Sequence, residues 1–146
     1  MRSGNLNPMS GSARLRPRLH FTVRQGWTND PHGIIHVDGR YHLFFQYNPD
    51  SVNWSAKCHW GHALSDDLIT WDEVDVALSP EDGEVGCWSG SVVIDDRGPV
   101  IVYTRIATNN WGQGQVALAR PRSDPSSRRR SSARSVSRPT NGVRSR

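Results

Sequence analysis

From residue 20 onward, apolar and aromatic positions fall in short runs broken by turn residues, the texture of a strand-rich chain. Residues 34–37 and 41–47 form two such runs joined by Asp38-Gly39. That pair accepts the positive φ angles a type I′ turn needs at both central positions, so a hairpin is predicted. A third run, 59–64, ends at Ser65-Asp66-Asp67, and a fourth, 71–78, completes a four-stranded unit with short turns. The pattern then restarts with 87–94, a turn over Asp95-Asp96-Arg97-Gly98, and runs at 100–104 and 115–119. Residues 60–65 and 114–119 can be laid over one another as the same third strand. Four strands repeating at about 40–50 residues are the texture of a β-propeller blade. The prediction is an all-β fold with one complete four-stranded blade and most of a second.

The second unit is expected to lack its outer strand. Where the first continues Asp67-Leu68-Ile69-Thr70-Trp71, the second continues Pro121-Arg122-Ser123-Asp124-Pro125, and Arg and Ser then make up 16 of the 26 residues from 121 to 146. Such a segment buries too little apolar surface to offset its ordering entropy. Three regions follow: a flexible lead-in over 1–19, a partial propeller domain over 20–120, and a disordered Arg/Ser-rich tail over 121–146. The abrupt change near Arg120 points to a shifted reading frame in the encoding DNA.

Composition changes this picture mainly through charge. The formal net charge of the 146 residues is +4, but residues 121–146 hold 8 Arg and one Asp, while residues 21–120 hold 6 basic and 13 acidic side chains. The folded part is therefore acidic. The basic character sits at the two ends and not on a patterned surface, which weighs against a nucleic-acid partner other than through the tail. Two cysteines, Cys58 and Cys87, are too few for a disulfide framework and read as buried free thiols in a reducing compartment. No apolar run suits a secretory leader or a membrane span, so a cytoplasmic protein without a membrane partner is expected.

The candidate chemistry lies in Trp27-Thr28-Asn29-Asp30-Pro31-His32-Gly33. Asp30 precedes a proline that fixes φ and removes a backbone donor, which holds the carboxylate on a rigid corner. Downstream come Phe44-Phe45-Gln46-Tyr47-Asn48-Pro49, Trp54, and Cys87-Trp88-Ser89-Gly90-Ser91; upstream lies Arg16-Pro17-Arg18-Leu19-His20-Phe21. Gln46 and Asn29 carry side-chain amides with donors and acceptors, Ser89 a rotatable hydroxyl, and Trp54 and Trp88 flat apolar faces. Trp60, Trp71 and Trp111 have no such context and read as core. His59 and His62, three apart on a strand, point to opposite faces and are not read as metal ligands.

In order and spacing, these segments resemble the N-terminal signature of glycoside hydrolase family 32, the invertases, levanases, inulinases and sucrose-6-phosphate hydrolases. There the first motif reads W-M-N-D-P-N-G; Thr28 and His32 depart from it. The resemblance implies the N-terminal part of a five-bladed propeller and a retaining β-fructofuranosidase acting on sucrose or a fructan without a cofactor. Asp30 would be its nucleophile, and Trp27, Asn29, Gln46, Trp54, Trp88 and Ser89 would bind substrate. His32, in place of Asn, keeps a donor and an acceptor but differs in shape and is able to ionise near neutral pH, which bears on substrate orientation and not on the nucleophile.

A retaining glycosidase needs two carboxyl groups about 5–5.5 Å apart. The family's R-D-P aspartate and E-C glutamate have no counterpart here: Ser123-Asp124-Pro125 lies in the tail, and Glu73, Glu81 and Glu84 read as solvated carboxylates. The expected product is a marginal fragment, inactive alone. An arabinan-type furanosidase of the same propeller class and a non-catalytic sugar-binding fragment stay open.

Overall fold

The computed structural model describes residues 17, 20–107, 110–121 and 136–137. The expectations for the lead-in and for most of the tail, Ser123-Asp124-Pro125 included, lie outside these residues. Two four-stranded antiparallel sheets result. The first runs β1 (Trp27–Val37), β2 (Arg40–Asn48), β3 (His59–Ser65) and β4 (Asp72–Glu73), each strand beside the next. The second repeats that order with β5 (Gly86–Asp95), β6 (Gly98–Ile106), β7 (Gln115–Pro121) and β8 (Val136–Ser137). A 3₁₀ turn, Trp111–Gln113, leads into β7.

The predicted hairpin is present. Asp38 and Gly39 take φ of 51° and 79°, and Val37 pairs with Arg40 across the turn. The overlay of 60–65 on 114–119 is also met, because β3 and β7 hold the third place in their sheets.

Two strands differ from expectation. Only Asp72 and Glu73 of the predicted run 71–78 pair regularly with β3. Beyond them Val74 N–H donates to His62 O at 3.0 Å and Ala77 N–H to Trp60 O at 2.9 Å, so three steps on one side answer two on the other. By the Trp60–Leu78 bridge the outer strand has gained two residues on β3, an irregularity that breaks the ladder between Glu73 and Leu78. In the second sheet the outer place, expected to be vacant, holds the two-residue β8, which pairs with Arg120 and Pro121.

The sheets pack face to face through one apolar cluster. Phe44, Trp60, Ala77 and Leu78 meet Cys87, Val92, Ile101, Tyr103 and Ala119, with Trp60, Cys87 and Ala119 fully buried. A second cluster covers the opposite face of the first sheet. There Leu43, Phe45, Tyr47 and Ala63 lie under Phe21, Val23, Trp71 and Val76, with Phe21 and Phe45 rings 4.9 Å apart. Trp60 and Trp71 are thus core residues, as expected; Trp111 has no described side chain. Both cysteines are buried, and burial pushes the Cys58 thiol up to about 11.

Candidate functional site

The two sheets touch mainly through their first strands, β1 and β5, and each of these carries a bulge at its site residue. The β1 register slips between Asn29 and Pro31 and again between Pro31 and Gly33. Asp30 falls in the first slip, at φ 29°, a left-handed conformation that Asp tolerates better than most residues. A proline ring forbids the ladder bond that would otherwise continue, so the chain kinks and turns the carboxylate out. The β5 register slips between Trp88 and Gly90, which leaves Ser89 as the extra residue. Gly90 is required there: a Cβ would stand 2.0 Å from the Val102 carbonyl oxygen.

The bulges meet. Ser89 Oγ donates to Asp30 Oδ2 at 3.0 Å, joining residues 59 apart in sequence and on different sheets. Both side chains are exposed, and Asn29 beside them is exposed too. Asn29 stands directly across from Gln46, and Trp27 across from Asn48, at the open end of the β1–β2 ladder. Trp54 and Trp88 meet edge to face, 6.3 Å between ring centres, and Trp54 remains 47% exposed. The Trp88 indole N–H donates to Ala56 O at 2.9 Å, which ties the Trp54 loop to β5. All seven predicted residues therefore lie on the strands and loop at this one end of the seam.

Three expectations change. Gln46 is 4% exposed, and its amide nitrogen donates to Cys87 O at 2.9 Å and to His59 O at 3.3 Å. The bond to Cys87 ties the two sheets together and the one to His59 stays within the first, leaving the acceptor Oε1 as the group a ligand hydroxyl can address. His32 does not ionise near neutral pH. It is 8% exposed, stacked on Trp60 at 4.1 Å, and its Nε2 has no hydrogen-bond partner. Burial lowers its pKa to about 4, against a smaller opposing pull from Asp30, so it is neutral where the sequence allowed a charge. Finally, Glu84 is not solvated: its side chain is 2% exposed and paired with Arg105 at 2.7 Å. Glu73 receives the Arg24 N–H at 2.6 Å. Thus Glu73 and Glu84 are engaged with arginines elsewhere in the fold.

His62 and His59 diverge as the strand period demands. His62 lies 3.0 Å, nitrogen to nitrogen, from His42, while His59 Nδ1 reaches Ser79 Oγ at 3.1 Å. Among the described residues no three His, Cys, Asp or Glu side chains gather as metal ligands. One participant escaped sequence reasoning. Trp60 read only as core, yet its indole N–H donates to Trp88 O at 3.1 Å while its ring carries His32. Nothing local to residue 60 signals that contact.

A carboxylate on a bulge, a serine donating to it, amides alongside and an exposed aromatic pair form an open polar surface suited to a hydroxylated ligand. The profile described as "Glycosyl hydrolases family 32 N-terminal domain" matches residues 20–142. The chain belongs to glycoside hydrolase family 32. An invertase from Schwanniomyces occidentalis is 46% identical over 82 residues, 55% of this chain and 15% of its own length. The structure of β-fructofuranosidase from the same yeast, complexed with fructosyl-erythritol, superposes with a TM-score of 0.62 at 36% identity, over 71% of this chain and 23% of that one. Fructan 1-exohydrolase IIa from Cichorium intybus superposes with a TM-score of 0.70 at 31% identity, over 86% and 23%. This family 32 chain therefore spans 15% of the curated invertase's length and 23% of each of these solved chains.

Proposed function

We propose that this chain supplies the nucleophile-bearing part of a retaining β-fructofuranosidase built on a five-bladed propeller, of which its two sheets form the first two blades. Asp30 attacks the anomeric carbon of a terminal fructosyl unit of sucrose or a fructan. Trp27, Asn29, Gln46, Trp54, Trp88 and Ser89 bind that unit. The observation that carries this reading is the Ser89–Asp30 hydrogen bond at 3.0 Å. It joins two separate motif segments at matching bulges and orients one carboxylate oxygen, which leaves the other for attack. The fructosyl-erythritol bound by the Schwanniomyces occidentalis enzyme supports the substrate class.

Glu73 and Glu84 are engaged with arginines elsewhere in the fold, and in this reading the acid/base carboxyl comes from a part of the enzyme outside the described residues. Without it the leaving oxygen stays unprotonated, a loss of about 10²–10⁴ in rate. To test the reading, residues 20–120 replace the matching segment of the Schwanniomyces occidentalis invertase, and sucrose hydrolysis is measured. The chimera is expected to turn over, and Asp30→Asn to lower kcat by ~10⁴-fold or more. An active chimera in which Asp30→Asn keeps its rate within about tenfold would remove Asp30 as the nucleophile.

A further inference from the structure

We propose that Trp60 is a positioning residue of the site: one indole, wedged between the two sheets, holds the strand of Asp30 by its face and the strand of Ser89 by its N–H.

The ring lies at the seam with no exposed surface. Its face carries the His32 imidazole, centroids 4.1 Å apart and planes 26° from parallel. His32 is two residues beyond Asp30, across the second slip of the β1 bulge, so its seat fixes the stretch of backbone from which the carboxylate projects. The edge of the same ring donates from Nε1 to Trp88 O at 3.1 Å. That carbonyl belongs to the peptide unit that ends on the Ser89 nitrogen. The preceding carbonyl, Cys87 O, is held by Gln46 Nε2 at 2.9 Å. Two consecutive peptide planes leading into Ser89 are therefore pinned by side chains of the first sheet.

The need for such pinning follows from the bulges. At Asp30 and at Ser89 the strand ladder is interrupted, so the backbone that aims each side chain is not held by its own sheet. A hydrogen bond between two exposed side chains loses to water unless both are held in place. A buried indole supplies that rigidity because its large ring has few accessible rotamers and its single donor has a fixed direction.

The inference rests on Asp30 being the working carboxylate, but its test does not require turnover. The full chain is labelled with ¹³C at aspartate carboxyl carbons, and the Asp30 signal is identified by its disappearance in Asp30→Asn. Ser89→Ala records where that signal moves when the Ser89 hydrogen bond is lost. Trp60 is then replaced by benzothienylalanine, which keeps the size and flatness of the indole and lacks the N–H; Trp60→Phe is the second variant. The expected result is an Asp30 signal moved to the Ser89→Ala position in either variant, with no further movement when Ser89→Ala is added. A signal that stays at its wild-type position while the unfolding midpoint falls makes Trp60 a packing residue only and overturns the proposal. Because no substrate is present, loss of the fructosidase reading would leave this result unchanged, and the reverse holds too.

Discussion

Among the described residues the outward face of the first sheet is covered, whereas on the second the outer residues of its flanking strands β5 and β7 stand open, although the strands of both sheets follow the same order. On the outward face of the first sheet, Leu43, Phe45, Tyr47 and Ala63 are each at most 8% exposed, because Phe21, Val23, Trp71 and Val76 lie across them. On the outward face of the second, Val116 and Leu118 of β7 stand 82% and 46% exposed, and Val93 of β5 46%. Alternation along a strand sets which residues share a face but not whether anything covers that face. Segments from outside the ladder decide that. The first sheet recruits the stretch before β1 and the chain around its short β4; the outward residues of β5 and β7 have no such cover among the described residues.

The same asymmetry runs through the ionisable groups. His32, His42 and His62 belong to the first sheet, and burial lowers the pKa of each, to about 4 for His32 and His62. The second sheet has no such histidines among its described residues, and its arginines hold carboxylates. Asp95 is held down to about 2 by hydrogen bonds from the Arg120 side chain and the Arg97 N–H, and Glu84 is paired with Arg105.

The sharpest way to break the contrast is truncation on the covered face. Phe45→Ala removes a ring 3% exposed and is expected to cost about 3–5 kcal/mol, read as a fall in the urea midpoint. Acid comes next. In the unfolded chain imidazoles take up protons near 6.5, while His32 and His62 in the folded sheet do so only near 4. Between those values the unfolded state binds more protons, so stability falls as pH drops from about 6.5 to about 4. Chemical denaturation at stepped pH should show this slope, and His62→Phe, which keeps a ring against Phe44, should flatten it. A slope unchanged in that variant would place the acid sensitivity elsewhere. The smallest effect is expected on the open face: Val116→Thr should change stability by no more than about 0.5 kcal/mol. A larger loss would mean that the face is covered in solution.

Particular residues show how far a sequence reading reaches. Asp38-Gly39 and the turn ending at Gly98 were legible because their φ demands are local. The alternating runs located β2, β3, β6 and β7 to within a few residues. β1 begins earlier than its apolar run, at Trp27, because a bulged strand carries polar residues through the ladder without alternation. The 71–78 run reads as continuous, and nothing in its composition marks the extra residues that interrupt it. Asp30 and Ser89 were named through a family resemblance; their hydrogen bond was not, because it depends on how two sheets dock.

By itself the sequence determined the strand order, the hairpin turns, the acidic central region and a carboxylate constrained by its neighbouring proline. These are short-range consequences of dihedral limits and of alternation. Tertiary structure alone decided that His32 is neutral, that Gln46 spends a donor on the seam, that Glu84 is buried against Arg105 and that Trp60 reaches both site strands. Each of these depends on which groups lose water and on what faces them afterwards, and that is set by the packing of residues far apart in the chain.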